Sequence, residues 1–137
     1  MKPSPSKTAV KSRYLEYGAV IFGGAAGSMM RGVISPNLPD IAFLTSTFFI
    51  NLAACFVLGW LYAARHRLRE RYMHLGAIGF CGGLSTFSSF AADVFHMLMD
   101  GAILAGLLAP ALEIGFGIFA AFIGEALGRR FHGRPAS

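Results

Sequence analysis

The chain has 137 residues, of which 55% are hydrophobic and only 14% charged. A soluble domain usually carries about a quarter charged residues, so this composition points to a lipid-embedded protein of one domain. The formal charge of +5 does not indicate nucleic acid, because eleven of the twelve lysines and arginines lie in three clusters beside apolar stretches. That is how membrane topology is written in a sequence.

The first thirteen residues, MKPSPSKTAVKSR, are basic and rich in proline and serine. No convincing small-residue cleavage site comes after a short apolar core, which predicts a basic tail (1–13) leading into an uncleaved first span. Apolar segments lie at about 14–34, 41–64, 73–98 and 102–127. Each is long enough to cross about 30 Å of hydrocarbon as a helix, and none alternates apolar with polar residues as a barrel strand would. The expected fold is therefore an all-α integral membrane domain of four transmembrane helices over 14–130, with a C-terminal tail at 131–137. Residues 35–40, with two prolines and an asparagine, make a turn; 65–72 form an arginine-rich loop; Asp100-Gly101 makes a tight turn.

With four spans, residues 1–13, the second loop and the C-terminus share one side of the membrane. That side holds eleven basic residues and the other holds Arg31 alone. The bias predicts termini in the cytoplasm. Gly23-Gly24 with Gly27, and Gly117 with Ala121, Gly124 and Gly128, have the small-residue spacing that lets helices approach closely. Cys55 and Cys81 sit inside apolar segments and read as packing residues; His66, His74, His96 and His132 lie near segment ends without metal-ligand spacing. No nucleophile–base pair, phosphate loop or metal cluster suggests an enzyme.

Polar residues inside the membrane carry the functional signal. Residues 79–90, GFCGGLSTFSSF, place adjacent glycines and four hydroxyls near the middle of the third segment. Such a run predicts either a packing kink or a helix break whose freed carbonyls and helix ends bind ions. Phe87 and Phe90, three residues apart, share a helical face, and the positive edges of their rings suit an anion as well as a core. Ser85, Ser89 and Asp93 recur at four-residue spacing as a polar stripe. Asn51, one turn after Thr47 in the second segment, reads as interhelical glue or as an anion-binding donor. Glu113 lies deep in the fourth segment on the face of Gly117, where an acid is expensive and marks a functional site by default. It is expected to be a neutral acid, a proton acceptor, or the partner of Arg31.

These stretches resemble the Fluc (CrcB) family of fluoride channels. The likeness runs from about Tyr14 to Arg130 and rests on Gly23-Gly24-Ala25-Ala26-Gly27-Ser28-Met29-Met30-Arg31, on Thr47-Phe48-Phe49-Ile50-Asn51, and above all on 79–90. The resemblance implies a dimeric channel of antiparallel subunits exporting fluoride passively across the bacterial inner membrane. It implies an anion path along Asn51, Phe87, Phe90, Thr47, Ser89 and Arg31. It also implies a central sodium ion held by the backbone carbonyls of Gly82 and Ser85. Hydrogen fluoride crosses bilayers and ionises inside, and a selective pore drains the trapped anion under a membrane potential negative inside.

Three features depart from the family pattern. Asp93 stands where a glutamate is usual. Ala109, Glu113 and Gly117 stand where a tyrosine and two hydroxyls are common. The one-sided basic residues predict a fixed orientation, although homodimers of this kind insert both ways. Asp93 and Glu113 are therefore candidate modulators. The alternatives to a homodimeric channel are a subunit that conducts only beside a homologue, or a proton-coupled small transporter.

Overall fold

The computed structural model describes residues 7–38 and 44–132. Expectations for residues 1–6, 39–43 and 133–137, including the start of the second segment and the end of the C-terminal tail, lie outside the described residues. The described chain is helical. Helix α1 (Lys7–Ile34) leads into a 3₁₀ turn at Ser35–Asn37, then into α2 (Ser46–Ala63). A continuous helical run at 70–84, α3, is α-helical at Glu70–Met73, π-helical at His74–Phe80 and α-helical again at Cys81–Leu84. Helix α4 (Phe87–Met99) continues the same segment after a break, and α5 (Ile103–His132) closes the described chain.

By length and apolarity, three helical segments among the described residues qualify as membrane spans: Ser46–Ala63, Glu70–Met99 and Ile103–Phe131. Helix α1 is 28 residues long but is more polar, because it begins inside the basic stretch expected to be a tail. It starts at Lys7, not at 14, and the last helix continues to His132, past the expected boundary at 130. Both extensions lengthen a helix into its flanking charges. At the C-terminal end Arg129 pairs with Glu125 one turn back, the geometry that supports exposed helix ends.

Two seams of small residues hold the helices together. Along the first, a Cβ on Gly27 would overlap the Phe80 carbonyl oxygen, and one on Gly83 would overlap that of Gly24. Helix α1 therefore rides on the backbone of α3, with Ser28 Oγ donating to the Gly83 carbonyl at 3.2 Å. Along the second, α2 lies on α5: a Cβ on Gly59 would overlap the Ala121 carbonyl oxygen, and one on Gly124 that of Phe56. Without a hydrophobic drive between helices in lipid, such backbone contact is what van der Waals association requires. The buried centre is small, with Ile50, Ala54 and Leu84 packed together and Phe80 against them.

The turn between α4 and α5 has a simple local cause. Gly101 takes φ +77°, Gly101 N–H donates to Leu98 O at 3.1 Å, and Ala102 N–H donates to Met97 O at 2.9 Å. This is the Schellman closure of a helix, in which glycine supplies the left-handed residue.

Candidate functional site

The third segment breaks at Ser85 and Thr86, not at the adjacent glycines. Gly82 and Gly83 are helical, whereas Ser85 (φ −73°, ψ 155°) and Thr86 (φ −151°, ψ 118°) are extended. Gly83 serves close packing against Gly24, while Gly82 faces open space; the hydroxyl residues serve the break. Ser85 thus lies outside α4, and the expected stripe with Ser89 and Asp93 is interrupted between its first and second members.

In an unbroken α-helix Thr86 N–H would donate to the Gly82 carbonyl. It donates instead to Asn51 Oδ1 at 2.9 Å. Ser89 N–H, which would serve the Ser85 carbonyl, donates to Thr86 Oγ1 at 3.3 Å, so Thr86 is the N-cap of α4. The carbonyls of Gly82 and Ser85 are thereby released from the helical ladder. Of the intervening carbonyls, that of Gly83 is taken by Ser28.

The amide of Asn51 has only one sensible orientation. A backbone N–H can only donate, so Oδ1 must face Thr86 and Nδ2 must face away from it. Nδ2 then donates to Glu113 Oε1 at 2.5 Å and lies 3.5 Å from the Thr86 carbonyl oxygen. One side chain on α2 therefore ties the break to α5. Glu113 meets Asn51; Arg31, one of the partners open to it from the sequence, stays half-buried at the end of α1.

Asn51, Ser85, Phe87, Phe90 and Glu113 line a single open groove of about 410 Å³, with Gly117 one turn beyond Glu113. The Phe87 and Phe90 rings lie 5.9 Å apart at 50°. Phe87 is 80% exposed, so its ring is not a core residue of this chain.

The other expected residues fall elsewhere. Thr47 is buried in α2 and is not part of the groove lining, and neither are Ser89 or Arg31. Asp93 accepts from Thr45 Oγ1 at 2.8 Å, which joins α4 to the start of α2. Sequence reasoning misses Thr86, Thr45 and Ser28. A threonine just before an apolar helix is an N-cap signal that points to Thr86; nothing local marks Thr45 or Ser28. It also misses Pro110, inside α5 three residues before Glu113. This proline deprives the Gly106 carbonyl of its helical donor.

A family model described as CrcB-like protein, Camphor Resistance (CrcB), matches residues 18–125. The chain is 58% identical over 114 residues to the fluoride-specific ion channel FluC of Ruegeria pomeroyi, covering 82% of this chain and 90% of the relative. It is 38% identical over 120 residues to the protein of that name from Pyrococcus furiosus, covering 84% and 97%. A third relative so named, from Ignicoccus hospitalis, is 35% identical over 115 residues, covering 81% and 93%.

Proposed function

This chain belongs to the CrcB-like protein family, and on that premise we propose that it is a fluoride-selective channel giving passive, electrogenic export of the anion. The observation that carries this reading is the groove in which Asn51 and the ring pair Phe87/Phe90 stand beside the helix break. Its donors and ring edges are neutral, which suits an anion that must bind and leave again. The anion path runs past Asn51, Phe87 and Phe90, with Arg31 near an aqueous entrance and Thr47 and Ser89 supporting the polar track.

The working unit is a dimer. One copy leaves the groove open along its side and Phe87 bare, and a second copy would wall it. We take the arrangement as antiparallel, in the bacterial inner membrane. Helix α1 is the fourth span: 28 residues rise about 42 Å, more than the hydrocarbon needs. Only with α1 crossing do all three basic clusters share one side, which supports cytoplasmic termini.

A sodium ion fits the break. The Gly82 and Ser85 carbonyls have lost their helical donors to Asn51 and Thr86, and a Cβ on Gly82 would meet nothing within 4 Å. These oxygens, with the same pair from a second copy, would hold the ion, which supplies positive charge and ties the two breaks together.

The test is release of fluoride from liposomes holding this protein alone, with a potassium ionophore to clear charge. Ionophore-dependent release of fluoride but not chloride is the expected result, and none at all would overturn a self-sufficient channel. A second reading, a subunit that conducts only beside a homologue, is favoured by Glu113 sitting on Asn51 and by the one-sided basic residues. It predicts release only when a homologue is added. A proton-coupled transporter would instead require a proton gradient for any flux.

A further inference from the structure

Glu113 reaches the groove at the one donor an anion would use. Thr86 N–H holds Asn51 Oδ1, so the amide cannot turn over to offer a different face. Of its two hydrogens, one lies toward the Thr86 carbonyl and the other goes to Glu113 Oε1. An anion arriving beside Phe87 and Phe90 therefore meets a carboxyl group already seated on Asn51.

The charge on that carboxyl sets what an arriving anion would meet. Ionised, Glu113 occupies the donor and repels an anion a few ångströms away, in surroundings that screen poorly. Neutral, its Oε1 still accepts from Asn51 while Oε2–H becomes a donor in its own right. The groups facing it offer no positive charge. From α2 the titratable neighbour is Cys55, which lines the same groove. From α4 it is Asp93, whose carboxyl is engaged by Thr45. From the break, Ser85 and Thr86 line the same groove and bring no titratable group. No lysine, arginine or histidine among the described residues lines the groove.

We propose that Glu113 makes anion passage proton-controlled: neutral, it offers Oε2–H to the anion in place of the Asn51 hydrogen it holds; ionised, it offers no donor and repels the anion. The inference rests on the channel reading above. The step is one protonation, in which a proton from water adds to Oε2 and no other bond changes. It makes Glu113 an anion-contacting residue in this chain.

The experiment measures ionophore-dependent fluoride release from liposomes across a pH series, for the full chain and for Glu113→Gln and Glu113→Ala. Subtracting release without ionophore removes the electroneutral leak of hydrogen fluoride. The unmodified chain is expected to speed up as pH falls. Glu113→Gln, a neutral side chain with both an acceptor and a donor, is expected to lose the pH dependence and to run about tenfold or more faster near neutrality. Glu113→Ala is expected to be equally insensitive to pH, because it removes the titrating group and frees the Asn51 hydrogen. A flat pH profile in the unmodified chain overturns the proposal without recourse to any variant. So does a Glu113→Gln protein that keeps the original rate and profile. Silence of all three proteins at every pH overturns the channel reading itself, an outcome distinct from conduction with a flat profile.

Discussion

Thr86 N–H donates to Asn51 Oδ1 at 2.9 Å, across 35 positions of sequence. The bond replaces the one that Thr86 would make to Gly82 inside a helix, so the break in the third segment and the docking of α2 against it are one event. It also orients the Asn51 amide toward Glu113. Backbone geometry, the released Gly82 carbonyl and the polarity of the groove therefore depend on the same side chain.

Replacing that side chain tests the dependence directly. Asn51→Ala leaves Thr86 N–H without its acceptor and Glu113 without its donor, both half-buried groups, so each costs at most about 1–3 kcal/mol. The unfolding midpoint in detergent should fall, and electrogenic fluoride release should be lost. An unchanged midpoint would mean that the break stands without Asn51.

The phenylalanines separate function from packing. Because Phe87 is 80% exposed in the single chain, Phe87→Ile should alter the unfolding of the dissociated protein by no more than about 0.5 kcal/mol. Phe87→Ile and Phe90→Ile should each still slow fluoride release markedly. Normal flux in both variants would remove the ring pair from the anion path.

The two adjacent glycines should behave oppositely. Gly83→Ala drives a methyl into the Gly24 carbonyl oxygen and must push α1 off α3. Overpacking of this kind costs about 1–3 kcal/mol, read as lower yield of folded protein and a lower unfolding midpoint. Gly82→Ala meets nothing within 4 Å of its own chain and removes a flexible residue from a helix, so the single chain should be unharmed or slightly more stable. Any loss of dimer or flux in Gly82→Ala then reports contact with a second copy. Equal destabilisation by both substitutions would contradict the seam between α1 and α3.

The one-sided basic residues make a prediction about insertion. A cysteine engineered into the N-terminal stretch, in a background lacking Cys55 and Cys81, should be shielded from an impermeant thiol reagent in intact cells and labelled after permeabilisation. Labelling of half the protein from each side would show insertion in both directions, and would leave the charge bias without a topological role.

Much of the fold is readable in the sequence because its signals are local. Apolar runs report helices long enough for a membrane, Asp100-Gly101 reports the turn that Gly101 makes at φ +77°, and basic clusters report segment flanks. The stretch 79–90 locates the break within a few residues. It does not reveal the cause, because glycine's weak helical preference is outweighed here by the contact of Gly83 with α1, while an asparagine far away in the chain takes the hydrogen bond at Thr86. Helix ends at Lys7 and His132 lie beyond the expected ones because charged residues, which suggest a tail, continue a helix readily once it has started.

By itself, the sequence determined that this is a helical membrane protein with a polar interruption in its third segment, and its motifs marked the family. Hydropathy, glycine spacing and charge act over a few residues, so they can be read in order along the chain. Only the tertiary structure decided that the interruption falls at Ser85 and Thr86, and that Glu113 finds Asn51 instead of Arg31. Those outcomes depend on residues 51, 86 and 113 converging, and that convergence comes from the two glycine seams that set how closely α1 lies on α3 and α2 on α5.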